Sequence, residues 1–183
     1  RSSDLFELYS ADGDDIRTGL DQDRLDLGIL LEPVESAKYE SVELPFSDRW
    51  GLIVAKDAPE AKLEGISTLG LANQPLILPR RGIVLDEIAS WLGTEREKLP
   101  GFLTQNLLTN GLPFVRRGLA AMVSIEGAFR IRPSKDVVFV TFKPERKNAH
   151  KFVRRRNRRL GEAAEMFWMR AKEMLQSGLD KVA

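Results

Sequence analysis

The feature that most constrains the fold is a short apolar segment, Leu25–Pro33, which follows an amphipathic stretch. Its sequence is Leu-Asp-Leu-Gly-Ile-Leu-Leu-Glu-Pro, and residues 27–31 carry no charge. An apolar run of this length, bounded by charged residues and by proline, is typical of a strand that is buried on both faces. In the preceding stretch, residues 13–24, Ile16 and Leu20 lie four residues apart among acids and arginines, which is the spacing of one helix face. We therefore predict a helix followed by a core strand.

An earlier segment completes a strand–helix–strand unit. In Leu5–Tyr9, polar and apolar residues alternate, which is the pattern of a strand. Two parallel strands joined by a helix form a unit whose crossover is almost always right-handed. Because ligands bind beyond the carboxyl ends of such strands, Ser10, Leu31 and Glu32 are candidate ligand-binding residues.

The composition is that of a soluble globular protein. The 183 residues are 43% hydrophobic and 30% charged, and a chain of this length and composition can form a sizeable core. The net charge is only +1, so the protein has no excess of positive charge to attract a polyanionic partner. The absence of cysteine excludes disulfides and thiol chemistry, and it is compatible with a reducing cytoplasm. No apolar run approaches the roughly 18 residues of a membrane span, and residues 1–3 begin no signal peptide. We expect a cytoplasmic protein with no membrane partner.

A second series of strand and helix patterns occupies the middle of the chain. Pro75–Pro79 is an apolar segment closed by proline, and residues 80–82 lead from it into an amphipathic pattern that Gly93 ends. Leu119–Ile125 is a further apolar segment with Ser124 near its end. The alternation of strands and helices predicts an α/β fold.

The order of these segments resembles the effector-binding domain of LysR-type transcriptional regulators, which has the fold of type 2 periplasmic binding proteins. The matching segments are Asp14–Ile16, Leu20, Leu25–Ile29, Leu44-Pro45, Trp50–Val54, Pro75–Leu78 and Gly118–Met122. The resemblance implies two lobes of mostly parallel sheet flanked by helices and joined by two crossover segments. Lobe I is then residues 1–56 and 144–183, and lobe II is residues 57–143. The family's winged-helix DNA-binding domain and the first strand and helix of its effector domain have no counterpart in this chain.

The resemblance also implies a function. The chain is expected to bind a small effector, which we predict to carry a carboxylate, between the two lobes and to change the arrangement of a homodimer or higher homo-oligomer. DNA is then contacted only through the N-terminal domain that has no counterpart here. Since fold does not fix function, the alternative is a solute-binding module or a small enzyme on the same two-lobed fold.

Arg80 and Arg81 are the strongest candidates for recognising an anionic effector. Together with Pro79 they lie between a predicted strand and a predicted helix. Amides at a helix N-terminus attract anions, and arginine binds carboxylates with two hydrogen bonds. The resemblance places this turn at the cleft. The alternative is a pair of exposed arginines on a loop.

Other polar positions have both a binding and a structural interpretation. The Ser124 hydroxyl can orient a small ligand or cap the next segment, and Ser10 has the same two interpretations. Asn106 and Asn110 flank residues 107–109, and a helix-capping role suits Asn110. Asn106 is therefore the ligand candidate of this pair.

The basic run Lys151–Arg159 and the single histidine complete the candidates. The run contains six basic residues but only one aromatic, Phe152, and it leads into an amphipathic helix. This favours a solvated face or an oligomer contact over nucleic-acid binding. His150 has no second histidine or cysteine beside it, so zinc sites and histidine-dependent triads lack their parts. We predict no metal, no cofactor and no catalytic residue.

The missing first strand has a structural consequence. The strand at Leu25–Leu31 or its neighbour Leu5–Tyr9 would lose a pairing partner, and natural proteins rarely leave such an edge open. The edge could be repaired by another copy of the chain, by residues 1–4 or by remodelling of the first lobe. We expect the intermolecular contact.

Overall fold

The computed structural model describes residues 5–131 and 133–177. The strands are β1 (Leu27–Leu31), β2 (Tyr39–Ala55), β3 (Ile66–Ser67), β4 (Leu76–Pro79), β5 (Gly101–Gln105), β6 (Ala121–Ile125), β7 (Val137–Lys143) and β8 (Lys147–Arg155). The α-helices are α1 (Gly13–Asp21), α2 (Gly82–Leu92), α3 (Leu108–Arg116), α4 (Glu126–Ile131) and α5 (Glu162–Gln176). The elements form an α/β fold, as the sequence predicted.

The described chain divides into two compact units. The first unit contains the residues up to Ser47 and those from Asn148 onward, and the second unit contains Asp48–Lys147. β2 therefore belongs to the first unit at its start and to the second at its end. The division into domains at residues 56 and 143 stays a prediction, because compactness alone does not define an independently folding unit.

In the first unit the strand order is β1-β8-β2. β1 and β8 are antiparallel, with Leu27 opposite Arg154 and Leu31 opposite His150. One face of this sheet packs on α1 through Ile16, Leu20, Leu30, Tyr39 and Val153. The other face packs on α5 through Val42, Phe152 and Trp168.

In the second unit the strand order is β2-β6-β4-β5, and β7 pairs with β2 and β3. β4 runs parallel to both β5 and β6, while β2 is antiparallel to β6 and β7. The core contains Ile53, Ile77, Leu112, Val115, Ala120, Met122 and Val137. The prediction of mostly parallel sheets holds for β6-β4-β5, whereas the pairings of β1 with β8 and of β2 with β6 and β7 are antiparallel.

The predicted strand at Leu5–Tyr9 is wrong. These residues are irregular and exposed, with Leu5 at 92% and Leu8 at 96% exposure. Alternation alone does not make a strand, because a strand also needs a neighbour for its backbone hydrogen bonds, and among the described residues this segment pairs with none. Residues 1–4, the other possible source of repair, lie outside the described residues.

β1 is also not buried on both faces. It is the last strand of its sheet among the described residues, and Ile29 is 57% exposed. Strand β2 runs without a break through the polar residues 47–49. Asp48 accepts a hydrogen bond from the Gly127 amide at 2.7 Å, and Arg49 pairs with Glu126 at 2.8 Å, so both polar side chains are bound while the backbone stays extended.

Candidate functional site

The second unit brings several predicted ligand residues to the carboxyl ends of neighbouring strands. Pro79 is the last residue of β4 and lies opposite Gln105, the last residue of β5. The Arg80 amide continues this pairing by donating to the Gln105 carbonyl at 2.8 Å, and Asn106 comes next in the chain. On the other side, β6 runs parallel to β4 and ends at Ile125, one residue after Ser124. Parallel strands end at the same edge of a sheet, so these residues lie at one edge of the second unit.

The helix α2 begins directly at this edge. Arg81 occupies its N-cap position, and its side chain makes no capping hydrogen bond. The Arg81 residue is only 8% exposed, whereas Arg80 is exposed. The helix ends as predicted at Gly93, whose φ of +65° is the left-handed conformation that glycine adopts easily.

A third arginine, Arg96, also lies near this edge, and no local sequence pattern predicts its place there. A Cβ added to Gly82 would lie 3.3 Å from Nη1 and from Nη2 of Arg96, so the guanidinium lies against the first residue of α2. Nη1 of Arg96 is also 3.5 Å from Oδ1 of Asp86, in an exposed ion pair. Arg96 lies in the charged stretch after α2, where its position depends on how that stretch folds back.

Ser124 and Asn106 have local hydrogen bonds. The buried Ser124 hydroxyl donates to the Ile125 carbonyl at 3.4 Å, a long contact. The Asn106 side-chain oxygen accepts from Asn110 at 2.9 Å, and α3 begins at Leu108 rather than at Asn110. Gln105, which the sequence analysis did not select, accepts from the Gly111 amide at 3.0 Å and so fixes the start of α3 against β5.

The residues after β6 carry a charge network. Arg49 and Arg130 donate to the Glu126 carboxylate at 2.8 and 2.7 Å. The hydrogen bond from Arg49 lowers the pKa of Glu126, against the opposing effect of burial, and that bond also raises the pKa of Arg49. Glu126 is thus held as an anion close to Ser124 in the chain.

In the first unit the predicted residues Leu31 and Glu32 lie at the end of β1. The Glu32 carboxylate accepts from Lys151 at 2.9 Å and from the Ala149 amide at 3.3 Å. Glu32 therefore ties β1 to β8. Ser10 lies in the irregular exposed segment before α1 rather than at a strand end, so the structural reason for selecting it is lost, and its ligand role stays a prediction. The structure thus groups Pro79, Arg80, Arg81, Asn106 and Ser124 in one unit and Leu31 and Glu32 in the other.

The basic run is engaged by its own chain. It forms most of β8, which the sequence analysis did not predict as a strand. Arg155 donates to the Asp21 carbonyl at 3.0 Å and so places a positive charge at the C-terminal end of α1, which the helix dipole favours. Arg158 donates to the Leu25 carbonyl at 2.6 Å. Further partners are Glu32 and Glu43 for Lys151, Glu40 and Glu165 for Arg154, and the Ser36 and Tyr39 carbonyls for Arg156.

The described residues contain neither a cluster of metal ligands nor a helix that could span a membrane. No group of three or more histidine, aspartate or glutamate side chains in residues 5–131 and 133–177 is arranged to hold a metal ion. Within the same part of the chain, no helix is both long and apolar enough to cross a bilayer.

The fold and its strand-end residues define a two-unit α/β domain of the type 2 periplasmic-binding-protein class. The family model of the LysR substrate binding domain matches residues 5–176. The chain therefore belongs to the LysR substrate binding domain family, and the fold and family predicted from the sequence are confirmed. No curated protein matches the chain in sequence.

Solved structures show the same fold at low sequence identity. HinK, a LysR family transcriptional regulator from Pseudomonas aeruginosa, superposes with a TM-score of 0.68 at 17% identity over 90% of this chain and 58% of its own. The effector binding domain of QuiR in complex with shikimate gives 0.73 at 14% identity, over 91% of this chain and 79% of its own. The regulatory domain of CcmR from Synechocystis PCC6803 in complex with 2-PG gives 0.68 at 14% identity, over 90% of this chain and 80% of its own. The chain thus spans 58% of the HinK chain.

Proposed function

We propose that this chain is the ligand-sensing domain of a cytoplasmic LysR-type transcriptional regulator, and that its effector is a small molecule bearing a carboxylate. The observation that carries the proposal is the placement of Arg80 and Arg81 at the end of β4, beside the ends of β5 and β6 and at the start of α2. The family assignment and the bound molecules in QuiR and CcmR support a small-molecule ligand.

The chemistry of this edge favours a carboxylate. The N-terminal amides of α2 carry partial positive charge from the helix dipole. A guanidinium adds two parallel donors that match the geometry of a carboxylate. Asn106 and Ser124, at the ends of β5 and β6, would orient the uncharged part of the ligand through their amide and hydroxyl groups.

The proposed effect of the ligand is a change in a homo-oligomer that contacts DNA through an N-terminal domain outside this sequence. A ligand shifts such an equilibrium only by the difference in its affinity for the two arrangements. The effector must therefore bind one arrangement more tightly than the other. The ligand roles of Leu31 and Glu32 in the first unit stay predictions.

The test is calorimetric titration of the 183-residue chain with a panel of small carboxylic acids and with the matching neutral amides. We expect at least one acid to bind and its amide to bind at least tenfold more weakly. The Arg80→Gln variant should lose about tenfold or more in affinity, because a hydrogen bond to a charged group contributes about 1.5–3 kcal/mol. Arg81→Lys should show a similar loss, since lysine keeps the charge but not the planar pair of donors.

The matched control is the variant Arg117→Gln. Arg117 is an exposed residue at the C-terminal end of α3, and its side chain donates to the Pro113 carbonyl. It changes the net charge equally and should leave the affinity unchanged. Equal binding of acid and amide would contradict the carboxylate assignment. Equal losses in Arg80→Gln and Arg117→Gln would show that only net charge matters, and consumption of the ligand would favour the alternative of a small enzyme.

A further inference from the structure

A cluster of aromatic side chains in the second unit surrounds the last turn of α2. Trp91 lies in this turn, and its ring centroid is 5.5 Å from that of Trp50 and 6.2 Å from that of Phe142. The Arg146 guanidinium lies 5.9 Å from the centre of the Trp91 ring, in a cation–π contact. Because Trp50 and Phe142 are buried, these contacts hold the end of α2 against β2 and β7.

Two polar atoms beside this cluster are buried without a hydrogen bond. Among the described residues, neither Nε of Arg146 nor Oε2 of Glu87 has a hydrogen-bond partner. Glu87 and Trp91 are four residues apart on α2, so their side chains are neighbours on the helix surface. Side chains of opposite charge therefore lie next to one ring, and each of them leaves a buried atom unsatisfied. A buried polar atom that lacks a partner raises the free energy of the folded state.

We propose that Arg146 is a two-position switch, whose guanidinium leaves the Trp91 ring and pairs with the Glu87 carboxylate when an anion binds at the start of α2. Pairing gives both buried atoms a partner and forms a charge-assisted hydrogen bond. It also gives up the cation–π contact and fixes a long side chain in one geometry, so the two positions are close in free energy. The inference rests on the proposed function, because it gives the bound effector an effect beyond its own site.

The arrangement of residues along α2 explains why an anion favours the pair. Ile83, Glu87 and Trp91 follow one another at intervals of four, so they lie along one side of the helix. At a rise of 1.5 Å per residue, the start of α2 is only about 7.5 Å along the axis from Glu87. An anion bound there repels the Glu87 carboxylate. Because Arg146 relieves this repulsion by neutralising the carboxylate, the bound anion shifts the guanidinium towards Glu87.

The backbone of Arg146 belongs to the segment that returns the chain to the first unit. Its carbonyl accepts a hydrogen bond from the Trp50 amide at 2.8 Å, and the next residue, Lys147, begins β8. The second unit ends at Lys147, and the chain then continues into the first unit. A change in the position of the Arg146 side chain therefore acts on the segment that connects the two units.

The test replaces the bound anion by a charge that is part of the chain, so it requires no ligand. Ile83→Asp places a carboxylate in the first turn of α2, where the helix dipole favours an acid, and Ile83→Asn is the neutral variant of the same shape. Ile83 is 43% exposed, so neither substitution empties the core. Two-dimensional ¹H–¹⁵N NMR of the arginine side chains follows the Nε–H signal of Arg146, which is identified by its loss in Arg146→Lys.

In the unsubstituted chain the ring current of Trp91 holds the proton signal of the Arg146 Nε–H group upfield. We expect this signal to move downfield in Ile83→Asp relative to Ile83→Asn, as the hydrogen bond to Glu87 replaces the contact with the ring. The ratio of paired to unpaired Arg146 should rise about twofold or more, because like charges four residues apart on a helix change an equilibrium by about that factor. Adding Glu87→Gln to both variants should remove the difference.

The matched control is Leu119→Asp, which places the same charge on a residue of the second unit that is 50% exposed, and it should leave the Arg146 signal unchanged. Circular dichroism checks the fold of each variant, and Ile83→Glu with Ile83→Gln replaces the first pair if Ile83→Asp does not fold. Equal signals in the acidic and neutral variants, or a difference that persists with Glu87→Gln, would overturn the switch. Neither result bears on carboxylate binding, which the calorimetric panel tests separately.

Discussion

Gly51 lies where β2 approaches β7 so closely that no side chain fits. A Cβ at this position would lie 2.2 Å from the Val140 carbonyl oxygen, which belongs to the backbone and cannot rotate away. We expect Gly51→Ala to lower the free energy of unfolding by about 1–3 kcal/mol or more, the usual cost of overpacking a core. Gly70→Ala is the control, because a Cβ at Gly70 would meet nothing within 4 Å. Urea unfolding of both variants checks this, and equal stability of the two would contradict it.

The Glu40 carboxylate gives a prediction about pH. Burial raises its pKa, but hydrogen bonds from Lys172 and Arg154 outweigh that effect and hold the pKa below its ordinary value of 4.5. Because the pKa is lower in the folded state, ionised Glu40 stabilises the fold above about pH 4.5, and this stabilisation is lost as the pH falls through the depressed folded value.

We therefore expect Glu40→Gln to be less stable than the unsubstituted chain at pH 7, by about 1–3 kcal/mol. The difference should shrink as the pH falls below 4.5. Urea unfolding at a series of pH values measures it. Glu64→Gln is the control, because Glu64 is 96% exposed with its partner Lys143 3.8 Å away, and it should change little at any pH. A difference for Glu40→Gln that stays constant down to pH 3 would refute the assignment.

At the scale of the element, β8 shows how a charged sequence becomes a strand. Arg154 and Arg155 of β8 form ion pairs, and Arg155 and the following Arg156 donate to carbonyl groups of the first unit, so these arginines are already engaged. Specific DNA recognition needs an element that places several side chains in a groove, and a paired strand with engaged arginines does not provide one. We expect at most weak binding that added salt abolishes.

Fluorescence anisotropy with a labelled 30-base-pair duplex tests this prediction at low and at moderate salt. Arg156→Gln removes one of these charges, and it should weaken residual binding in proportion to the charge lost. Tight binding that depends on the duplex sequence would show that this chain reads DNA itself and that the proposed division of labour is wrong.

The elements also show what the sequence could predict. Helix α2 and its end at Gly93 follow from local signals, namely apolar spacing and a residue that tolerates positive φ. β8 was missed because its charges find their partners in distant acids such as Glu40 and Glu43, which no local pattern reveals. Leu5–Tyr9 was overpredicted because alternation records a preference for a strand but not the presence of a neighbour.

In the candidate site, too, the positions of some residues could be predicted from the sequence and the position of another could not. The position of Arg80 and Ser124 at one edge was predictable, because each lies at the end of an apolar segment and parallel strands bring their ends to one edge. Arg96 was not predictable, because its place beside Gly82 depends on the path of the chain after α2.

At the scale of the whole molecule, the effector site and the proposed homo-oligomer belong to one thermodynamic scheme. If the effector changes the association constant of the oligomer by a given factor, association must change the effector's affinity by that same factor. A tenfold effect requires about 1.4 kcal/mol of difference in affinity between the two states. The proposed hydrogen bonds of one arginine to a carboxylate are of this size.

The central claim is that a carboxylate binds at the strand ends of the second unit. The most direct test is two-dimensional ¹H–¹⁵N NMR of the labelled chain, titrated with the acid that binds in the calorimetric panel. We predict that the largest shifts occur at the amides of residues 80–84, at Asn106 and at Ser124, and that they are lost in Arg80→Gln. Shifts confined to other residues, with residues 80–84 unchanged at saturation, would contradict the claim.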